Sequence, residues 1–239
     1  MDPKDINFAA MPQTAINVVT NPAEFFQGMP KTGGFLEPLV FAVVMGVIVG
    51  IIQAIFGFIG LGPAGGYGGG GMSGFGMIIF MPIAAAIGSF IGAAILFVIW
   101  KLMGSQENYE TAYRCGAYLM ALSPITTILS VIPYAGGLVG MAIFTFYIVI
   151  ASVHVHNLPS QKAWLVFGII GVVLAFGGLY SEYKARNMMS EMGKWGQLGE
   201  EYRKSAEDMQ KSSEEMRKQA EEMMQQAKEQ AEEAKRQAE

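Results

Sequence analysis

Charge is almost absent from the middle of this chain, and that absence constrains the fold more than any motif. Of 239 residues, 52% are hydrophobic and 15% charged, and 11 of the 16 Lys+Arg and 14 of the 20 Asp+Glu fall after Ser181. The mean hydropathy is +0.35. A soluble domain does not concentrate apolar residues in this way, so the first three quarters belongs to the membrane class. Five apolar runs lie at about 38–61, 77–100, 112–132, 138–155 and 163–181. Each is close to the ~20 residues that cross a hydrocarbon core. In lipid every backbone group must find its partner inside the protein, so the runs are expected as helices.

The predicted architecture is all-α: a polytopic membrane helix bundle of five transmembrane helices with a long C-terminal coiled-coil-like helix. Residues 1–34 form an N-terminal cytoplasmic or interfacial segment, 35–181 the transmembrane domain, and 182–239 a charged helical tail. Pro3, Pro12, Pro22 and Pro30 cut the N-terminal segment into short pieces. Asn21-Pro22-Ala23-Glu24 reads as a helix start, with a capping side chain, a first-turn proline and an acid at the positive end of the dipole. Phe25, Phe26 and Met29 give it an apolar side, so it is either a helix on the membrane surface or a plain loop. The segment contains no apolar run, and the first spanning helix is expected to act as its own insertion signal.

Trp100-Lys101 closes the second run as an interfacial aromatic beside a snorkelling cation. The spacings Gly46/Gly50, Gly88/Gly92 and Gly136/Gly140 allow close helix approach. Gly62 to Gly71 is glycine-rich, yet no Lys-Ser/Thr follows and no strand precedes, so it reads as a flexible linker rather than a phosphate loop. Pro124 and Pro133 break the hydrogen-bond ladder of the third run, where Thr126, Thr127 and Ser130 can restore lost bonds. Links 62–76 and 133–137 hold no Lys or Arg, whereas Lys4, Lys31, Lys101, Arg114 and Lys162 belong to the other loops and helix ends. That alternation places the N-terminus in the cytoplasm and, with five spans, the tail outside. Lys184, Arg186 and Lys194 just after the last run pull the other way.

The tail carries a seven-residue repeat. One position takes Met192, Gly199, Ala206, Ser213, Ala220, Ala227 and Ala234; three residues later come Trp195, Tyr202, Met209, Met216, Met223 and Gln230. A small/large seam over about five heptads is a coiled-coil signal, and the plainer alternative is a solvated single helix. Tyr202, Met209, Met216 and Met223 are the expected oligomerisation residues, which makes a homo-oligomer the expected state.

Glu110 and Arg114 stand four apart, with Tyr113 and Tyr118 beside them. They form either a polar site for a headgroup or partner at the membrane face, or an exposed ion pair worth ~0.3–0.5 kcal/mol. His154 and His156 point to different faces of a helix, so no two-ligand metal site is expected. The lone Cys115 excludes an internal disulfide. No nucleophile–base set, carboxylate dyad or metal cluster is found, so neither an enzyme nor a cofactor is expected. The mixed-sign tail offers no basic footprint for nucleic acid.

The stretches "WKLMGSQENYETAYRCGAYLMALSP" (100–124), "IPYAGGLVG" (132–140) and "HNLPSQKAW" (156–164) resemble the Yip family of Rab/Ypt-interacting five-span membrane proteins, and especially its bacterial branch. The resemblance covers about residues 20–181. It implies five spans with a cytosolic N-terminus and an outside C-terminus. From the residues themselves, Glu110, Tyr113, Arg114, Tyr118 and His156 are the possible ligand- or partner-binding positions. Eukaryotic members bind prenylated Rab GTPases, while the glycine-rich link suits a bacterial inner-membrane member. The long tail departs from the family pattern. The expected role is a membrane scaffold or adaptor that contacts lipids and offers its tail to an unknown partner. The rival is a channel, transporter or lipid-handling protein with a cavity around the kinked third and fourth spans.

Overall fold

In a computed structural model the chain is described at residues 7–61 and 72–237; the glycine-rich link expected as a flexible linker lies outside the described residues. The chain divides into two units, Met1–Arg186 and Asn187–Glu239. After a 3-10 turn at Phe8–Ala10 come α1 (Met11–Thr20), α2 (Pro22–Gly28), α3 (Leu36–Phe58), α4 (Met72–Leu102) and α5 (Tyr109–Leu119). A 3-10 turn at Met120–Leu122 leads into α6 (Ser123–Leu129), α7 (Ala135–His154) and α8 (Ser160–Gln237). Among the described residues there is no strand.

Four helical stretches are long and apolar enough to cross a membrane: Leu36–Phe58, Phe75–Leu102, Ala135–His154 and Ser160–Met188. With these, the chain is an integral membrane protein. The third run does not form one such helix. It is split into pieces of 11, 3 and 7 residues. Pro124 occupies the first turn of α6, where its missing N–H costs least. The Thr126 and Ser130 hydroxyls donate to the carbonyls of Ser123 (3.1 Å) and Thr127 (2.7 Å).

The first two pieces of this run, α5 and the 3-10 turn, form the centre of the bundle, whereas α6 has no buried residue. Eight of the eleven α5 residues are buried, and Ala121 and Leu122 continue the buried face. Tyr118 packs against Phe25 of α2 and Phe41 of α3, with ring centroids 5.3 and 5.2 Å apart. On the α4 side, Phe90 stacks on Tyr113 at 4.3 Å. Glycines set the closest approaches between helices. A Cβ on Gly50 would lie 2.6 Å from the Met77 carbonyl oxygen, and one on Gly46 2.8 Å from Pro82 Cα, so α3 meets α4 backbone to backbone. Gly136 sits against the Leu129 carbonyl in the same way. Gly88 and Gly92 have nothing within 4 Å, so that spacing packs no helix of the same chain.

Two expectations near the N-terminal half require correction. Asn21 does not cap α2 with its side chain, which donates instead to the Thr20 hydroxyl at 3.3 Å. The apolar side of α2 is not spread on a lipid surface, for Phe26 and Met29 are 1% and 5% exposed inside the core. α1 packs beside it: Val18 is buried, and the Tyr147 hydroxyl of α7 donates to the Val19 carbonyl. Trp100 is likewise not presented to headgroups. It is fully buried, and its indole N–H donates to Ser152 Oγ at 2.7 Å. A satisfied donor inside the bundle outweighs the preference of indole for the headgroup layer.

The turn into α7 tests this packing. Gly136→Ala is expected to lower the melting temperature and folded yield in detergent, because relieving the overlap with Leu129 costs about 1–3 kcal/mol. Gly137→Ala, with nothing within 4 Å, is the matched control and is expected to be neutral. Thermal unfolding followed by fluorescence distinguishes the pair.

Candidate functional site

One end of the bundle gathers nearly all the polar chemistry of its unit. Three segments meet there: residues 31–37 before α3, the link 103–108 with the start of α5, and the link 155–159 with the start of α8. Asn108 caps α5 by accepting from the Thr111 N–H at 2.9 Å, which fixes where Glu110 and Arg114 begin. Gly33 and Gly34 take positive φ, +124° and +83°, where a side chain would be strained. That bend turns the Gly34 carbonyl and N–H toward α5.

Arg114 is 1% exposed, donating to the Gly34 carbonyl oxygen and to Glu37 Oε2, both at 3.0 Å. Its Nε has no partner. Glu110 accepts from the Gly34 N–H at 2.6 Å. The expected exposed pair between Glu110 and Arg114 is therefore not what forms. The cation is buried and crosses to Glu37 on another helix, while Glu110 holds the bend. A buried guanidinium needs a carboxylate and a carbonyl at once, and its planar fork reaches both.

His156 joins the second half of the cluster. It is 3% exposed and stacked on Trp100 with centroids 3.9 Å apart. Its Nδ1 lies 2.8 Å from Ser105 Oγ and its Nε2 lies 3.9 Å from Cys115 Sγ. Burial pushes the imidazole down to about 4, against the opposing pull of Glu107 and with smaller help from Lys31 and Lys101. The ring is thus neutral near pH 7. Asn157 takes φ 54°, a conformation asparagine tolerates, and reverses the chain after α7. Around the ring, Lys31 donates to Glu107 Oε1 (2.7 Å) and the Val155 carbonyl (3.0 Å), and Lys162 donates to the Met103 carbonyl (2.7 Å).

Of the residues singled out from sequence, Glu110, Arg114 and His156 lie in this end. Tyr118 joins them, its ring 6.0 Å from the Arg114 guanidinium and packed against Phe25 and Phe41, whereas Tyr113 points away, its Oη 3.3 Å from Ser89 Oγ. His154 is only half-buried. Tyr202, Met209, Met216 and Met223 are exposed along α8, at 76%, 71%, 62% and 65%. Lys31, Glu37, Ser105 and Glu107 were not anticipated. The Gly33-Gly34 pair just before the first span was the signal that a close approach follows. Among the described residues no group of three or more His, Cys, Asp or Glu can hold a metal ion.

Two measurements follow from this geometry. Glu37→Leu leaves the buried Arg114 short of its carboxylate and is expected to cost about 1–3 kcal/mol. Adding Arg114→Met is expected to recover most of that loss in a double-mutant cycle. The His156 imidazole is depressed from the usual 6.5 to about 4. Its contribution is thus complete above pH 6.5 and lost as pH falls toward 4, because the unfolded chain takes up the proton first. Stability measured across that window is expected to fall, and His156→Gln to flatten the fall.

The family model of the Yip1 domain matches residues 16–181. No curated protein and no solved structure gives a significant match. The match spans more than half of the chain and takes in both halves of the polar end, Glu110 and Arg114 as well as His156. The chain belongs to the Yip1 domain family.

Proposed function

We propose that this protein is a non-enzymatic scaffold or adaptor of a bacterial inner membrane, which self-associates through its C-terminal helix and presents that helix to a partner. The observation that carries the reading is the tail. α8 runs to Gln237, and Tyr202, Met209, Met216 and Met223 of its large-residue column are exposed. The polar end supports the non-enzymatic side. Lys31, Glu110, Arg114 and Lys162 all spend hydrogen bonds on their own backbone, and the His156 ring is walled in by Trp100, Ser105 and Cys115.

The reading includes five crossings, with α5, the 3-10 turn and α6 as the third. The run Tyr109–Leu129 at ~1.5 Å per residue reaches ~30 Å, about one hydrocarbon thickness. Its 3-10 turn and its arginine are sheathed by other helices, the condition under which lipid tolerates either, while α6 is a regular helix with no buried residue. Lys31, Lys101, Arg114 and Lys162 gather at one end, which the positive-inside tendency makes cytoplasmic. At the other end the Tyr134 N–H donates to Glu182 at 3.0 Å, and Arg186 lies over the Tyr134 ring at 5.4 Å. That contact supports a tail leaving on the side opposite the N-terminal polar cluster.

A second reading, the handling of a lipid or small apolar solute, has one observation in its favour. A cavity of about 460 Å³ lies beside the Pro124 break, lined by Met11, Ala15, Val44, Met45, Ala121 and Ile125 among others. Its walls carry no charge, so it suits an acyl chain and not an ion. Passage of a lipid across vesicles that Ala15→Trp abolishes would move the account to this reading.

Met209, Met216 and Met223 test the first reading. Burying one Met side chain is worth ~1.5–3 kcal/mol, so three supply several kcal/mol per chain before ordering costs. Changing all three to Glu is expected to reduce the particle mass in detergent while membrane insertion stays normal. An unchanged mass, or a wild type that is already monomeric, rejects self-association through the tail.

A further inference from the structure

The tail repeat does not begin at the tail. Followed backwards at seven-residue steps, the small column passes through Ala185, Gly178 and Gly171, and the large column through Met188, Ser181, Leu174 and Phe167. The same helix therefore carries one register from inside its apolar span to the end of the repeat. The first step of that register is already occupied. Phe167 is 3% exposed and Gly171 is buried against Thr145 of α7. The next steps are free: Leu174 is 53% exposed, Gly178 has nothing within 4 Å, and Ala185 and Met188 are exposed.

We infer that α8 associates with the α8 of a second copy of this chain along one parallel seam that starts within the membrane, at Leu174 and Gly178, and continues in the same register through Ala185 into the tail. The inference rests on the self-association proposed above and extends it into the bilayer. Lipid alone does not explain the pattern. A straight helix drifts ~20° per heptad, so columns spaced by seven stay on one side only when two helices supercoil left-handedly. Lipid imposes no such spacing, and it does not reach the tail that shares the register. Elsewhere on the span Ile169, Val173, Phe176 and Tyr180 are bulky and exposed, with Gly168 and Gly177 as the open small positions outside the column. The small column is the line where two backbones can approach.

The orientation follows from two facts. Copies inserted in the same sense emerge on one side, which makes their helices parallel. The sites next to the large column are Arg203, Gln210 and Arg217, and those preceding the small column are Ser205, Ser212 and Gln219. A parallel pair sets arginine against serine or glutamine, whereas an antiparallel pair sets arginine against arginine.

Single cysteines read the seam directly, with the native Cys115 left in place because it is fully buried. Gly178→Cys, Ala185→Cys and Ser213→Cys lie on the small column; Tyr180→Cys, two residues on, lies across the helix. Membranes are oxidised mildly and disulfide-linked dimers are read on non-reducing gels, with the wild type as blank. The three seam variants are expected to link ~tenfold faster than Tyr180→Cys, since the seam holds them at high effective concentration. Linking at Ser213→Cys but not at Gly178→Cys or Ala185→Cys overturns the extension and leaves the tail contact standing. Equal linking at positions 178 and 180 marks random collision and overturns it too. No linking anywhere overturns both readings.

Discussion

A helix that breaks into a 3-10 turn and carries a buried arginine cannot face lipid, and the helices around α5 are arranged to meet that constraint. α5 is almost wholly enclosed, its 3-10 continuation is buried, and Arg114 on it is 1% exposed. Unsatisfied backbone and unpaired charge each cost several kcal/mol in hydrocarbon. The apolar helices around α5 remove both costs at once. They take the lipid contact themselves, and residues 31–37 deliver a carboxylate and a carbonyl to the guanidinium. The α3–α4 glycine contact belongs to the same economy, for a sheath of close-packed backbones leaves less α5 surface to cover.

This arrangement divides labour along the chain. α3, α4 and α7 contact the centre. α8 packs on its neighbours early, Phe167 against Trp100 of α4 and Gly171 against Thr145 of α7, and meets Tyr134 again at Glu182 and Arg186; between them it is exposed around most of its surface. A span with that much open surface has apolar area to give to other helices. The proposed scaffold role draws on that open surface: in it the bundle would anchor α8, and α8 would make the contacts with other chains.

Much of this was legible in the sequence, and the misses have physical causes. Runs one, two, four and five were readable because hydropathy reports membrane length directly. The third run has similar length but a different neighbourhood, and hydropathy cannot distinguish a helix facing lipid from one facing protein. The Glu110/Arg114 spacing suggested a local pair, yet Arg114 meets Glu37, 77 residues away. Sequence spacing is silent on such contacts. Trp100 followed the interfacial rule on paper and lost to a buried hydrogen bond with Ser152. α1 lay within a proline-cut segment with no apolar run, and Val18 and the Val19 carbonyl find partners only across the fold. The continuous heptad from the span into the tail was visible in principle, but only the exposure of Leu174 and Gly178 shows which part of that register the bundle leaves open.

The account turns on whether the broken α5–α6 run crosses the bilayer, because that decides on which side α8 emerges. The most direct measurement is side-specific labelling of single cysteines at Gln106, in the link between α4 and α5, and at Glu200, in the tail. Sealed vesicles of known orientation are treated with a membrane-impermeant thiol reagent, with the buried Cys115 as an unreactive background. Five crossings require the two sites to react from opposite faces, Gln106→Cys from the cytoplasmic face. Reaction of both sites from the same face would mean that the central run does not cross, and would contradict the sheath built around it.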